Sequence, residues 1–441
     1  MTRTIFHAVS LFSNCGAGDV GYARAGFRFD VMAELDERRL EVCLLNHPSA
    51  KGVQGDLRET WPKVVETYRR TSRKTRLSLL AACPPCQGMS TARSGRGIES
   101  DPDAGMRDSR NLLVTVIANV AKALMPRVIV VENVQAFLTR QVRHPKTKTP
   151  ISAARLLVDA LESDYEVFPV SVDLCHYGVP QTRKRTFLTF FHRDESAISI
   201  LSKSEVVPYP QPTHVPHSHR EPITIRKALK EMKLPSLDAK SEASACSAVR
   251  GGLHAVPIWR NRQYAMVAAI PRHTGMSAWE NSECEVCGSV DTSDEEVLCP
   301  KCFEPLLRPI VPNGRGGYRL VTGFRTSTYC RIKSDRPSTT ITTASGHIGS
   351  NNTIHPFENR LLSTLECALL QTLPRSFKWG EALKKWGHTN VREMIGEAVP
   401  PLFTYKHGRM IGQLLEARGT KSLLSSSDER HVRAAKKLGL R

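Results

Sequence analysis

The stretch Cys83-Pro84-Pro85-Cys86-Gln87-Gly88-Met89-Ser90 places two cysteines in a C-x-x-C spacing directly after the apolar run "LSLLAA". By itself that spacing suits a redox pair, half of a metal site, or one nucleophile with an idle neighbour. A redox pair opens a helix and needs both thiols exposed, whereas Cys83 closes an apolar run and is expected to be buried. The two prolines fix an extended turn and project Cys86 into a loop. Cys86 is therefore the expected nucleophile. Cys83 is read as a strand-end bystander whose change to Ala should leave substantial activity. The following "GMSTARSGRGIESDPDAGMRDSR" is rich in Gly and Arg, as suits a mobile lid over a charged substrate.

Glu132 in "ENV" follows the apolar strand "RVIVV", which puts it at the same sheet edge as Cys86. "QTRKR" (181–185) precedes another strand and supplies alternating arginines on one side. A thiol, a carboxylate and an arginine pair converging on one crevice describe nucleophilic catalysis on a polar planar ring. "LFSNCGAGDVGYARAGF" (11–27) sets small residues between a strand and a helix, and an acidic residue ends the next strand in "AELD". Glycines there permit a tight turn and close approach to a cofactor, and the acid can accept from ribose hydroxyls. Asp56, in "GDL", ends a third element, from which a carboxylate can accept from an adenine amino group.

A second constellation is Cys284-Glu-Val-Cys287, eleven residues, then Cys299-Pro-Lys-Cys302. Paired C-x-x-C knuckles let four thiolates converge tetrahedrally, as structural zinc requires, and four thiolates close the shell against catalysis. Cys246, Cys330 and Cys367 have no partner signature and are read as packing residues. The histidines of 214–219 are read as part of a solvated Pro/His linker.

These residues need a scaffold. Over the first 190 residues, short apolar runs ("IFHAVSLF", "DVMAEL", "LSLLAA", "RVIVVEN", "TFLTFF") alternate with amphipathic segments such as "RNLLVTVIANVAKALM" and "ISAARLLVDALESD". That alternation predicts an α/β fold, doubly wound and Rossmann-like, with ligands at the carboxyl ends of the strands. From Phe191 the chain turns Pro- and His-rich, then small and polar, so 191–335 is read as a smaller, irregular domain with long loops. Periodicity returns near "RPSTTITT", so 336–441 is expected to rejoin the core and end in a basic tail. The basic stretches "RRTSRKTR" (69–76) and "RQVRHPKTK" (140–148) are read as exposed loops.

The totals agree with a globular protein that has a polyanionic partner. The 441 residues are 40% hydrophobic and 24% charged, and 62 Lys+Arg against 43 Asp+Glu give a net charge of +19. Neither a membrane span nor a secretory leader is expected, so the 12 cysteines are expected to be reduced, metal-bound or catalytic in a cytoplasm, that of a bacterium or a phage-infected cell.

The ordered set "PPCQ", "ENV", "QTRKR", "RPSTT" and "IGEAVPP" resembles the cytosine-5 DNA methyltransferases of bacteria and phages, over residues 5–190 and 336–405. The resemblance implies an S-adenosylmethionine-dependent methyltransferase core (1–190 with 336–441) around a variable target-recognition domain (191–335). It implies that Cys86 attacks carbon 6 of a cytosine flipped from duplex DNA, making carbon 5 accept the methyl group. Glu132 would hold or protonate ring N3, and Arg185, with Arg183 nearby, would contact O2. Gln181 would support the loop and Asn133 would orient the Cys86 loop. Phe12, Cys15, Gly16, Glu34 and Asp56 would line the cofactor pocket, closed by Gly396, Glu397, Ala398 and Val399, while Thr340 would pack the junction between the domains. The family's first turn usually has Gly where Asn14 stands, and its late motif reads Gly-Asn where Glu397 follows Gly396. The expected setting is DNA modification, solitary or beside a companion restriction endonuclease, by a monomer. A tRNA cytosine methyltransferase and a non-catalytic zinc-containing DNA-binding protein are the competing readings. The long insert weighs against the first, and the intact Cys86, Glu132 and Arg185 set against the second.

Overall fold

The structure, a computed structural model, describes residues 5–72, 75–85, 106, 108–204, 206–322, 327–350, 353–417 and 424–440. A seven-stranded sheet runs in the order β3-β2-β1-β4-β5-β9-β8. Its strands are β1 (Phe6–Leu11), β2 (Phe27–Glu34), β3 (Lys51–Gln54), β4 (Leu79–Ala82), β5 (Val128–Asn133), β8 (Tyr165–Asp173) and β9 (Lys184–His192). The first five are parallel, and β9 runs antiparallel to both β5 and β8. A small hairpin, β6 (Gln141–Arg143) with β7 (Pro150–Ser152), occupies the basic stretch after β5.

Helices cover both faces of the sheet, so its central strands are apolar on alternate sides. Val9, Leu80, Ile129 and Val131 face one core with α3 (Leu57–Thr71), α4 (Val114–Leu124) and α5 (Ala153–Leu161). Ala8, Leu79, Val128 and Val130 face the other, closed by the helix Pro401–Leu415. Helix α4 ends where Met125 turns left-handed (φ 45°) ahead of Pro126, which cannot continue a helix. Between β1 and β2, α1 (Ala17–Ala25) lies so close to Pro401–Leu415 that a Cβ on Gly21 would come within 2.0 Å of Thr404 Oγ1 and 2.3 Å of the Pro401 carbonyl.

The sheet domain does not stop at 191. Strand β9 continues to His192, and Ala197, Leu201, Val207 and Tyr209 enter the second core. Val206–Pro210 then pairs with Leu424–Ser426. Beyond, residues to about 335 form short helices and loops around a small core, including Trp259, Met266, Val267 and Ile270, that Ile348, Ile354 and Leu361 complete. A third core joins the helices Ile225–Met232, Thr364–Leu370 and Ala382–Glu397. Cys330 and Cys367 are buried, as packing residues should be, whereas Cys246 is exposed.

One buried ion pair anchors that third core. Glu366 is 3% exposed and completes a capping box with Ser363 at the start of Thr364–Leu370. Burial alone would raise its carboxyl, but Arg360, at 2.6 and 2.8 Å, brings it down to about 2. The stability this pair contributes is complete above the ordinary carboxyl value of 4.5 and fades as pH falls toward 2. Arg360→Met leaves a buried carboxylate without its cation and should cost about 3–5 kcal/mol near neutral pH. Urea melts at a series of pH values should show that deficit shrinking as the medium is acidified and Glu366 protonates.

Candidate active site

The loop from β1 into α1 is bent through three left-handed residues, Phe12 (φ 57°), Asn14 (φ 49°) and Gly16 (φ 73°). Asn is one of the few residues that tolerate this region, and here both its ends are tied. Its backbone N–H donates to Glu34 Oε2 at 2.8 Å, and its side-chain amide donates to the Met394 carbonyl at 2.9 Å. Gly16 has no alternative, because a Cβ would lie 2.8 Å from the His47 ring and 2.9 Å from Cys43 Sγ. The strained turn therefore binds the end of β2 and the helix Ala382–Glu397 to the first strand.

Below this turn opens a cleft at the carboxyl ends of β1, β4 and β5. It is lined by Phe12, Asn14, Asp19, Tyr22, Cys83, Glu132 and the run Glu397–Val399. Besides Glu132, the carboxylates Asp19 and Glu397 line it and Glu34 lies behind. Glu397 pairs with Arg39, which also lies 3.9 Å from Asp36. Glu34, just behind, is raised by burial, against the pull of N–H groups from Asp36 and Asn14. Asp19 is pushed up to about 7 by burial, although Ser10 Oγ donates to it at 2.9 Å.

The far wall of the cleft is the end of the β4–β5 ladder. The last paired register is Ala82 with Val131. The next two are closed by side chains. Cys83 Sγ donates to Glu132 Oε2 at 2.8 Å, and Asn133 Nδ2 donates to the Pro84 carbonyl at 3.0 Å. Arg185 Nε stands 2.9 Å from Glu132 Oε1, with both side chains largely buried (14% and 8% exposed). Strand β9 pairs Phe187 with Glu132, so its start carries Arg185 onto the same carboxylate.

The expected residues thus separate. Phe12, Glu132 and Glu397–Val399 line the cleft, Glu34 backs it, and Asn133 and Arg185 abut Glu132. Cys86, and most of the expected lid, lie outside the described residues. Arg183 points elsewhere: it is 1% exposed and donates to the carbonyls of Ile341 and Gly396 at 3.0 and 2.9 Å. Gln181 is wholly buried, donating to the Leu370 carbonyl and Gln371 Oε1 and accepting from Ile341 N–H. Thr340 Oγ1 donates to the Thr182 carbonyl at 2.6 Å in the same junction. Gly396 itself lies against the backbone of Thr342 and Thr343, where a Cβ would come within 2.3 Å. Cys15 is fully buried and pushed up to about 12 by that burial. The Asp56 carboxylate caps α3 through Arg58 N–H and pairs with the Arg58 side chain. Asp19, Tyr22, Cys83 and Thr404 line the cleft without having been anticipated. Asp19 alone carried a signal, a carboxylate among small and apolar residues just after the glycine turn.

The four remaining cysteines do converge. All four Sγ atoms lie within 4.8 Å of one another, with Cys284–Cys302 at 3.5 Å and Cys287–Cys299 at 3.6 Å. Tetrahedral Zn–S bonds of about 2.3 Å require edges of about 3.8 Å, so the donor set fits zinc. Each knuckle has the same turn. Cys284 N–H donates to Ser289 and Gly288 N–H returns to Cys284, while Cys299 N–H donates to Glu304 and Phe303 N–H returns to Cys299. The residue after the second cysteine is left-handed both times, Gly288 (φ 68°) and Phe303 (φ 62°).

An α/β sheet that opens a cleft at the carboxyl ends of its strands, beside a buried Glu–Arg pair, is the setting of an enzyme active site. The chain belongs to the family of C-5 cytosine-specific DNA methylases, which it matches over residues 6–413. It is 26% identical over 403 residues to the type II methyltransferase M1.HgaI of Avibacterium volantium, covering 89% of this chain and 94% of that one. It is 23% identical over 418 residues to M.Eco47II of Escherichia coli, covering 94% and 81%. Among solved structures, a DNA modification methyltransferase encoded within an Escherichia coli prophage shares the fold with a TM-score of 0.55 at 19% identity, covering 93% of this chain and 99% of that one. The Dnmt2 methyltransferase of S. pombe does so with a TM-score of 0.51 at 14% identity, covering 93% and 99%. The family uses S-adenosylmethionine and acts on DNA. No helix among the described residues is long and apolar enough to cross a membrane.

Asp19 gives this cleft a measurable pH dependence. Its folded value lies above the ordinary 3.8, so the native state holds a proton the unfolded chain has lost, and stability falls as pH rises from about 4 through 7. Asp19→Asn should therefore gain stability relative to the parent as pH rises across that window, by up to about 4 kcal/mol. Cofactor-free thermal melts at pH 5 and pH 8 measure the difference.

Proposed function

We propose that this enzyme transfers a methyl group to carbon 5 of a cytosine flipped out of duplex DNA, through a covalent adduct on Cys86. The observation that carries the reading is the end of the β4–β5 ladder, where Asn133 grips the Pro84 carbonyl and Glu132 meets Arg185 two residues before Cys86. In this reading the Cys86 thiolate adds to carbon 6, and Glu132 holds the proton that the ring's N3 takes up as charge moves into it. Arg185 steadies the O2 edge, and carbon 5, now electron-rich, takes the methyl group. S-adenosylmethionine, held by Phe12 and the Glu397–Val399 wall, would supply that methyl from its sulfonium and leave as S-adenosylhomocysteine. Loss of the carbon-5 proton and expulsion of Cys86 from carbon 6 restore the aromatic ring. Arg183 and Gln181 act as braces of the domain junction and not on the base.

We read the segment from about 211 to 335 as the target-recognition domain, with zinc held by Cys284, Cys287, Cys299 and Cys302 as its scaffold. Arg308 supports that role: it is 1% exposed and donates to the carbonyls of Asn281, Ser293 and Glu296, tying the knuckles to the chain that follows. That chain is the hairpin Ile310–Pro312/Tyr318–Leu320. Its tip, Asn313-Gly314-Arg315-Gly316-Gly317, is held by Asn313 Oδ1 accepting from the N–H groups of Arg315 and Gly317. Left-handed Gly314 and Gly316 flank Arg315 in open space. Arg315 is therefore the arginine best placed to reach a base or phosphate, while Arg319 beside it donates to the Leu320 carbonyl. By contrast Arg250 donates to the Phe377 carbonyl and Arg262 to that of Leu306, and Arg325 lies outside the described residues. Arg260 is exposed. The knuckles carry Glu283, Glu285, Asp291, Asp294, Glu295, Glu296 and Glu304 against Lys301 alone, so the hairpin, not the knuckles, suits a phosphate backbone. We take the enzyme to act as a monomer on duplex DNA, alone or beside a companion endonuclease.

Bisulfite sequencing of random-sequence duplex treated with enzyme and S-adenosylmethionine should reveal methylated cytosine within one sequence context. No methylated cytosine would overturn the reading, as would turnover retained by Cys86→Ala. Purified protein should carry one zinc per chain by elemental analysis, falling well below that in Cys287→Ser. Arg315→Ala should weaken duplex binding about tenfold while leaving cofactor affinity alone, a loss of the size one base or phosphate contact supplies.

A further inference from the structure

We propose that Cys83 is a positioning residue for the methyl-transfer reaction, its thiol holding the Glu132 carboxylate in the plane that meets the cytosine ring. The inference rests on the reading of Glu132 above. Cys83 stands where three constraints cross. Its backbone N–H donates to the Leu11 carbonyl at 3.3 Å, prolonging the β1–β4 pairing. Its side chain lines the cleft beside Phe12 and Ala82. Its thiol donates to Glu132 Oε2 at 2.8 Å, while Arg185 Nε faces the other carboxylate oxygen at 2.9 Å.

A glutamate's last torsion is soft and roughly two-fold, so one cation on one oxygen does not settle the plane of the carboxylate. The Arg185 contact is an ion pair that leaves Oε1 without a hydrogen bond, so the direction must come from the donor on Oε2. A thiol is a weak donor, and that weakness suits the task. It orients the carboxylate in the resting enzyme, yet yields when a ring nitrogen competes for the same oxygen. A side chain serving only to fill space at the end of Leu79–Ala82 would need no donor, since that strand already ends on Ala81 and Ala82. The position also explains a proline. Pro84 has no N–H to offer, so its carbonyl is the backbone group left for Asn133 to hold, and the two grips lie one register apart.

The test compares Cys83→Ala with Cys83→Ser in single-turnover methyl transfer to duplex DNA, with S-adenosylmethionine affinity measured separately by equilibrium binding. Loss of a hydrogen bond to a charged group should slow the Ala variant about tenfold at unchanged cofactor affinity. The Ser hydroxyl should restore the rate to within about threefold, since it replaces the lost donor. The rate of covalent trapping on 5-fluorocytosine duplex should follow the same order. A full rate in Cys83→Ala, a loss expressed as weaker cofactor binding, or Ser as slow as Ala would each overturn the proposal. Glu132→Gln is the separate control: parental turnover in that variant would mean that Glu132 itself had been misread, whatever Cys83 does.

Discussion

The structure turns on what happens one residue beyond a parallel ladder. Hydrogen bonding between β4 and β5 ends at Ala82 and Val131, where both chains must leave the sheet. Parallel strands end at the same edge, so this is where loops diverge and where a polar site can form without breaking the core. Here the divergence is checked by two side chains from β5, Glu132 and Asn133, reaching residues 83 and 84. Residues 83 and 84 therefore leave the sheet in a fixed position. Register, a backbone property, is carried forward by side-chain chemistry into the region where the reaction needs it.

The rest of the protein brings distant segments to that edge. Arg183, at the mouth of β9, is buried to reach the carbonyls of Ile341 and Gly396. A buried guanidinium is costly unless its donors are satisfied, and carbonyls at the ends of two other segments supply the acceptors. Gln181 and Gln371 extend the same seam, so the segments on either side of the irregular domain close around the cleft as one unit. Asn14 and Glu397 depart from the family's usual residues, and both act locally. Asn14 accepts the left-handed turn and adds a bond to Met394, while Glu397 takes Arg39 as its cation at the cleft rim.

The segment that leaves the core is organised by a different logic. Around the knuckles there is little apolar surface to bury, and four cysteines converge where a hydrophobic core would otherwise be needed. The segment's charge is divided in space. Carboxylates crowd the knuckles, and arginine stands on the glycine-flanked hairpin that Arg308 joins to them. A chain of net charge +19 thus keeps a locally acidic element, which restricts the faces that can approach a polyanion.

Much of this was legible in the residues alone. Unbroken apolar runs between amphipathic segments announced a doubly wound sheet, and five of its seven strands were read directly. Strands β3 and β8 escaped because "KGVQ" is polar and "YEVFPVSVD" mixes charge and proline into its alternation. The two C-x-x-C pairs announced a tetrathiolate site, since its chemistry depends on spacing and little else. Glu132, Asn133 and Arg185 were readable because strand direction dictates which end of a strand faces the cleft. What strand direction cannot dictate is rotation about a chain: Arg183 and Arg185 share a strand entry, yet one braces the interior and the other meets Glu132. Asp56, expected at the cofactor pocket, also caps a helix, a partner that residue order does not announce. Cys83 looked idle for the same reason. Residue type and order determined the fold and the chemistry available at its edge, whereas the partner of each polar group was decided only by tertiary packing, which brings together residues far apart along the chain.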